Sequence, residues 1–282
     1  MKTAPHLTSL ATLAVAAATA SSAHAIVVGV EQFNYPNGTI ANQAGGTGWA
    51  YERTDEPGAP AIAPSDWDNV GGTPSVSGSA FITSNSSAKR EFAGATEGSG
   101  AGANEREGAF RGAGVVYFGV DYKVDALLAS GTTQWGGFSS YDFATERLFF
   151  GMVSQSTATR NFGVLISGGA SSLSTIAISA NTTYRLVGAV DFDADLIKLW
   201  VNPDGSDFDS GASHSADASL TYTGTNWSSA VRLGSGAGAN TTWDNLVVST
   251  TFAEALAVPE PSAALLAAAG ALSLARRRRR LV

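Results

Sequence analysis

From Val115 onward, apolar and polar positions alternate in short runs separated by Gly, Ser, Asn and Asp. Val115–Val124, Arg147–Val153, Asn161–Ser167, Leu173–Ser179, Thr183–Phe192 and Leu196–Val201 are six such runs. Ala218–Thr223, Ala230–Gly234 and Trp243–Ser249 complete the set. All are rich in β-branched and aromatic residues, and turn residues punctuate them. That spacing predicts antiparallel strands in a sandwich or barrel. The clearest unit is Thr183–Phe192, the corner Asp193-Ala194, then Asp195–Val201. A period of two puts Leu186, Ile197 and Leu199 on the core face and turns Arg185 and Lys198 outward. Asn202-Pro203-Asp204-Gly205 then stops the second strand with strong turn chemistry. No amphipathic helix is legible between Ile26 and Val258. The Gly-, Ala-, Ser- and Pro-rich stretch from Tyr51 to Gly114 is expected to form long loops over one edge.

The two ends follow a different pattern. Lys2 precedes an Ala-rich run, Leu7–Ala20, and then Ala23-His24-Ala25. A positive start, a short apolar stretch and a small-x-small site predict a secretory signal over 1–25, with Ala23 and Ala25 forming the cleavage pattern and the mature chain beginning near Ile26. At the other end, Val258-Pro259-Glu260-Pro261 leads into the apolar stretch Ser262–Ala275 and then Arg276, Arg277, Arg278, Arg279 and Arg280. The apolar stretch is short against the ~20 residues a bilayer span needs. The arginine block favours retention on the cytoplasmic side. The boundaries this gives are a signal at 1–25, one folded domain at 26–252, and a tail at 253–282.

Composition sharpens the picture. The chain has 282 residues, 44% apolar and only 15% charged, with 32 Gly and no Cys. The apolar share can fill a core. The missing Cys excludes a disulfide framework, thiolate zinc and a cysteine nucleophile. Of 17 basic and 24 acidic residues, Lys2, the five terminal arginines and Glu260 fall outside Ile26–Val258, leaving 11 against 23 and a net charge near −12. Nucleic acid needs a basic face, so it is not an expected partner.

Candidate chemistry is sparse. His214 is the one histidine after the signal; it sits in a polar loop with no nucleophile-elbow pattern. Glu105 and Glu107 share a parity but flank Arg106 in a Gly/Ala-rich stretch. Asp191, Asp193 and Asp195 are spaced as in a calcium loop, with Asp204, Asp207 and Asp209 downstream. Hard cations want several oxygens. The pattern departs from an EF-hand, with Leu196 where Gly belongs and Asn202 in place of the closing Glu. Calcium through Asp191, Asp193 and Asp195 stands beside the plainer reading of Asp as a turn former. The run Gly98–Asn104 recurs identically at Gly234–Asn240 and reads as two flexible loops. Trp49, Trp67, Trp135 and Trp227 fall in loop-like stretches, whereas Trp200 and Trp243 fall in strands. Core packing is the default for such rings, with one or two of the loop-borne tryptophans expected at the surface.

Two resemblances add to this. The tail Val258-Pro259-Glu260-Pro261-Ser262, the short apolar stretch and the terminal arginines resemble a PEP-CTERM sorting signal. That resemblance implies a Gram-negative bacterium and an exosortase-type protease reading Pro259, Glu260 and Pro261. It also implies transient anchoring in the inner membrane, then release to the cell surface or extracellular matrix. Glu31–Gly38, Gly45–Trp49, Tyr184–Asp204 and Trp243–Val248 together resemble a laminin-G-like, concanavalin-A-like jelly roll. The implied fold is all-β, two antiparallel sheets face to face, with first and last strands side by side. The expectation is an exported, non-catalytic structural or carbohydrate-contacting module that meets extracellular polysaccharide. The alternative is a polysaccharide-degrading glycoside hydrolase. Against it, the glucanase pattern Glu-x-Asp-x-x-Glu is absent.

Overall fold

The computed structural model describes residues 27–52, 62–64, 66–91, 95–97, 106–107, 110–111, 114–142, 145–204, 215–223, 227–228, 230–238 and 240–257. The strands run in order as β1 (Val27–Glu31), β2 (Gly38–Thr39), β3 (Ala50–Glu52), β4 (Ile62–Pro64), β5 (Asp68–Gly71), β6 (Ser75–Ser77), β7 (Ala80–Thr83) and β8 (Ser86–Glu91). They continue as β9 (Ala95–Glu97), β10 (Arg106–Glu107), β11 (Phe110–Arg111), β12 (Val115–Val124), β13 (Gln134–Asp142), β14 (Thr145–Gln155) and β15 (Asn161–Ile166). The last are β16 (Ser171–Ala177), β17 (Tyr184–Asp191), β18 (Leu196–Val201), β19 (Ala218–Thr221), β20 (Trp227–Ser228), β21 (Ala230–Gly236) and β22 (Thr241–Ser249), followed by a short helix, α1 (Phe252–Leu256).

Two antiparallel sheets carry the fold. The back sheet runs β19-β18-β17-β12-β22-β7-β6-β2, and β1 also pairs with β22. The front sheet runs β16-β15-β14-β13-β21-β8-β5. One edge of β22 is held by β12 along its length; its other edge is shared, Thr241–Trp243 by β7 and Leu246–Ser249 by β1. First and last strands therefore lie side by side, as the jelly-roll resemblance implies.

Period-two patterning explains the core. In β12, Val116, Phe118, Val120, Tyr122 and Val124 are buried and face the front sheet's apolar row. That row crosses adjacent strands in register as Val164, Phe150, Phe138, Leu233 and Ala88, all buried. Phe138 and Phe150 stack with centroids 5.0 Å apart, and Phe118 reaches them from the back sheet at 6.0 and 6.4 Å. Gly188 is required beneath this stack, because a Cβ there would lie 2.7 Å from the Phe138 ring. Leu186, Ile197 and Leu199 are fully buried, as their parity predicts.

The stretch 51–114 departs from expectation. It supplies β5 and β8 to the front sheet and β6 and β7 to the back sheet, rather than loops alone. Gly234-Ser235-Gly236 is likewise the end of β21, not a loop. The packed unit also continues past β22. Phe252 and Ala255 of α1 are fully buried against Val187, Ala189 and Trp200 on the outside of the back sheet. The signal with Ala23 and Ala25, and the tail with Pro259, Glu260, Pro261 and the arginines, lie outside the described residues. No helix among the described residues is long and apolar enough to cross a membrane.

Candidate functional site

The outer face of the front sheet is built on glycine. One residue away from the buried row, register aligns Leu173, Gly163, Gly151, Gly137, Gly234 and Ser87 across β16, β15, β14, β13, β21 and β8. Four neighbouring strands thus present no side chain on this rung, and larger residues at its end and on the rungs beside it lie down along the sheet. Leu173 covers Gly163, where a Cβ would be 2.8 Å from its Cδ2. Phe149 covers Gly137, at 2.4 Å. Trp135 covers Gly236, whose Cβ would be 2.0 Å from the indole nitrogen. Trp135 and Phe149 meet edge to face at 6.1 Å.

Arg232 organises the polar half of this face. Its Nη2 donates to Glu146 Oε1 at 2.6 Å and to Ser139 Oγ at 3.2 Å, and its Nη1 donates to the Tyr141 hydroxyl at 3.0 Å. Ser139 Oγ also donates to Glu146 Oε1. The guanidinium lies over both Trp135 and Tyr141, 5.4 and 5.3 Å from the ring centroids. Burial pushes the Tyr141 phenol up, against the lowering pull of Arg232. The phenol stays protonated near neutrality. Lys89, paired in register with Arg232, is itself bound to Glu91 at 2.8 Å.

Beside Trp135 and Arg232 the surface sinks into a depression of about 300 Å³. Val70 and Gly71 of β5, Asn85, Ser86 and Ser87 at the start of β8, and Ser235, Gly236 and Ala237 at the end of β21 line it. Trp135 is partly exposed here. Asn85 Oδ1 accepts from the Gly238 amide, and Ser86 Oγ from the Ser84 amide. Among the described residues, neither the Asn85 side-chain nitrogen nor the Ser87 hydroxyl has a hydrogen-bond partner. The arrangement offers an aromatic plate, a few neutral polar groups and one neutralised cation. Such a set suits a polar molecule with an apolar face.

Two further charged clusters stand elsewhere. Glu31 and Arg90, both buried, pair at 2.6 Å; the Glu31 carboxylate also accepts from the Tyr35 hydroxyl, Trp67 Nε1 and the Phe33 amide. Arg90 lies over Trp49 and Trp67 at 5.0 and 6.0 Å. Burial and the bond to Glu31 push the Tyr35 phenol well up. The first strand is thereby pinned to β8. On the outside of the back sheet, Asp121 Oδ1 accepts from Arg185 Nη1 at 3.2 Å and Asp121 Oδ2 from Asn245 Nδ2 at 2.8 Å. Asp244, in register with Asp121, has its carboxyl pushed up, chiefly by burial. Both line a smaller depression of about 160 Å³ with Lys123, Thr183 and Thr242.

The calcium candidates are not brought together. Asp191 Oδ1 caps the Ala194 amide while its Oδ2 meets Lys198 Nζ at 3.2 Å. Asp193 Oδ1 accepts from the Gly114 amide at 3.1 Å, and Asp195 adopts a positive φ of 52° at the corner. Among the described residues, no three acidic or imidazole side chains group so as to hold a metal. His214, Asp207, Asp209 and Glu105 lie outside those residues; Glu107 sits in β10. Trp49 and Trp67 are core residues, 5% and 0% exposed. Trp227 belongs to β20. Sequence reasoning missed Arg232, Glu146, Ser139 and Tyr141, and placed Trp135 in a loop. The available signal was parity: Trp135, Gly137, Ser139 and Tyr141 share one face, as do Arg232, Gly234 and Gly236.

Comparison with known proteins gives no matching family model, and no curated protein matches in sequence. Among solved structures, the chain is similar to a sialidase at 10% identity, covering 67% of this chain and 17% of that one, TM-score 0.40. It is similar to a Trypanosoma rangeli sialidase at 12% identity, covering 82% and 32%, TM-score 0.45. It is similar to an alginate lyase of polysaccharide lyase family 7 at 11% identity, covering 78% and 94%, TM-score 0.40. The chain thus spans less than a third of either sialidase. No residue role is carried over from these likenesses.

Proposed function

We propose that this chain is an exported, non-catalytic jelly-roll module that contacts carbohydrate through the depression on its front sheet. The observation that carries the reading is Trp135, partly exposed and laid flat over Gly236 at the rim of that depression, beside the Arg232 cluster. A sugar ring has one apolar C–H face and a hydroxyl edge. The indole serves the first; Ser87 and Asn85 serve the second. The two chain ends supply the route: a signal over 1–25, then a PEP-CTERM tail read by an exosortase-type protease at the inner membrane, with release to the surface or matrix. Affinity electrophoresis of the secreted protein through polysaccharide gels tests the binding. Retention that falls roughly tenfold in Trp135→Ala is the expected result, the ~1.4 kcal/mol of one good contact. Equal mobility in gels with and without polysaccharide overturns it.

A second reading, glycoside hydrolysis, is favoured by one feature. Asp121 and Asp244 face each other across β12 and β22, and burial pushes the Asp244 carboxyl up. Two neighbouring carboxyl groups in unlike surroundings are the pairing glycosidases use. Sugar release from β-glucans that vanishes in Asp244→Asn is the result this reading requires.

A further inference from the structure

We infer that the depression on the front sheet accepts a neutral sugar unit and rejects acidic ones; this rests on the carbohydrate-contacting reading above. Among the described residues, Arg232 is the one charged residue lining the depression, and its charge is already met by Glu146 at 2.6 Å. The same guanidinium is held by Ser139 and Tyr141 and lies over the rings of Trp135 and Tyr141. It has little freedom to swing toward a ligand. The neighbouring Lys89 is occupied by Glu91. A uronate or sulfate entering here would shed water without gaining a counter-ion, and would approach the Glu146 carboxylate. Burying an unpaired charge is far costlier than burying hydroxyls that find partners. Neutral hydroxyls meet such partners in Ser87 Oγ and the Asn85 amide. The volume, about 300 Å³, lies at the bottom of the range for ligand pockets (~300–1,000 Å³), which fits one unit of a chain rather than a long segment.

The same geometry says how to reverse the preference. Glu146→Gln keeps a hydrogen-bond acceptor for Arg232 and removes the neutralising charge. The freed cation then favours acidic sugars, with an attraction screened by salt.

The test compares the secreted wild-type protein, Trp135→Ala and Glu146→Gln in gels of a neutral β-glucan and of alginate, with thermal unfolding checking that each variant is folded. Wild type retained by the glucan and not by alginate is expected. Glu146→Gln should gain alginate retention of roughly tenfold or more, the ~1.4 kcal/mol scale of one charged contact, and lose it in high salt. Wild-type preference for alginate, abolished by Trp135→Ala, overturns the charge argument and leaves the carbohydrate reading standing. Folded Glu146→Gln with no gain on alginate also overturns it. Retention by neither polymer overturns the carbohydrate reading itself.

Discussion

At the scale of single residues, the buried charges are the sharpest handles on stability. Arg90 and Glu31 are 1% and 2% exposed at their side chains, so neither ion can be rescued by water when its partner is lost. Arg90→Met should cost about 3–5 kcal/mol in urea unfolding, because it leaves a buried carboxylate unpaired. Adding Glu31→Gln should recover most of that loss, since the amide oxygen still accepts from the Phe33 amide and carries no charge; full additivity of the two costs would rule out direct coupling. Asp244 behaves oppositely. Burial raises its folded pKa above the ordinary carboxylate value, so its contribution is fully present below that value and fades as pH rises through the folded pKa. Asp244→Asn mimics the protonated state. It should therefore raise the melting temperature at pH 7 by up to a few degrees and leave it unchanged near pH 3, in scans across that range.

At the scale of elements, legibility tracked side-chain chemistry. β12 and β18 were bounded in the sequence residue for residue, because Val, Phe, Tyr, Leu and Ile mark a half-buried pleat. β13, Gln-Trp-Gly-Gly-Phe-Ser-Ser-Tyr-Asp, was not, although it is central to the front sheet. Its glycines and serines have poor strand propensity and look like a loop. Gly137 gives Phe149 room to lie over the strand, as Gly236 of β21 does for Trp135. The same logic hid β8, whose Arg90 and Glu91 are buried by pairing rather than by apolarity. The candidate site was thus hard to read because small residues, Gly71, Ser86, Ser87, Ser235, Gly236 and Ala237, make up most of its lining. α1 shows a related dependence. Gly119 lets the Ala255 carbonyl approach so closely that a Cβ would sit 1.7 Å from that oxygen, and Arg185 Nη2 holds the same oxygen at 2.6 Å. Gly119→Ala should therefore push α1 off the back sheet at a cost of about 1–3 kcal/mol. Amide exchange at Ala255 and Ala257 reads this directly, through faster exchange there and unchanged rates in β13 and β14.

For the whole molecule, the decisive strand is the last one. β22 fills the middle of the back sheet and buries Trp243, Leu246 and Val248 completely. Without it, β12, β7 and β1 each lose a neighbour, and Glu31 loses its register with Leu246. The contact between β1 and β22 closes nearly the whole domain, the kind of long-range pairing that is slow to form. Folding can then finish only when the C-terminal strand is present. A chain ended after Gly238 should show no near-ultraviolet dichroism and no cooperative melting. A chain ended after Ala257, with β22 and α1 intact, should melt as one transition within a few degrees of the full-length protein. Cooperative unfolding of the shorter chain would mean that β1 and β12 find a stable sheet without their shared partner, and the argument from closure would fail.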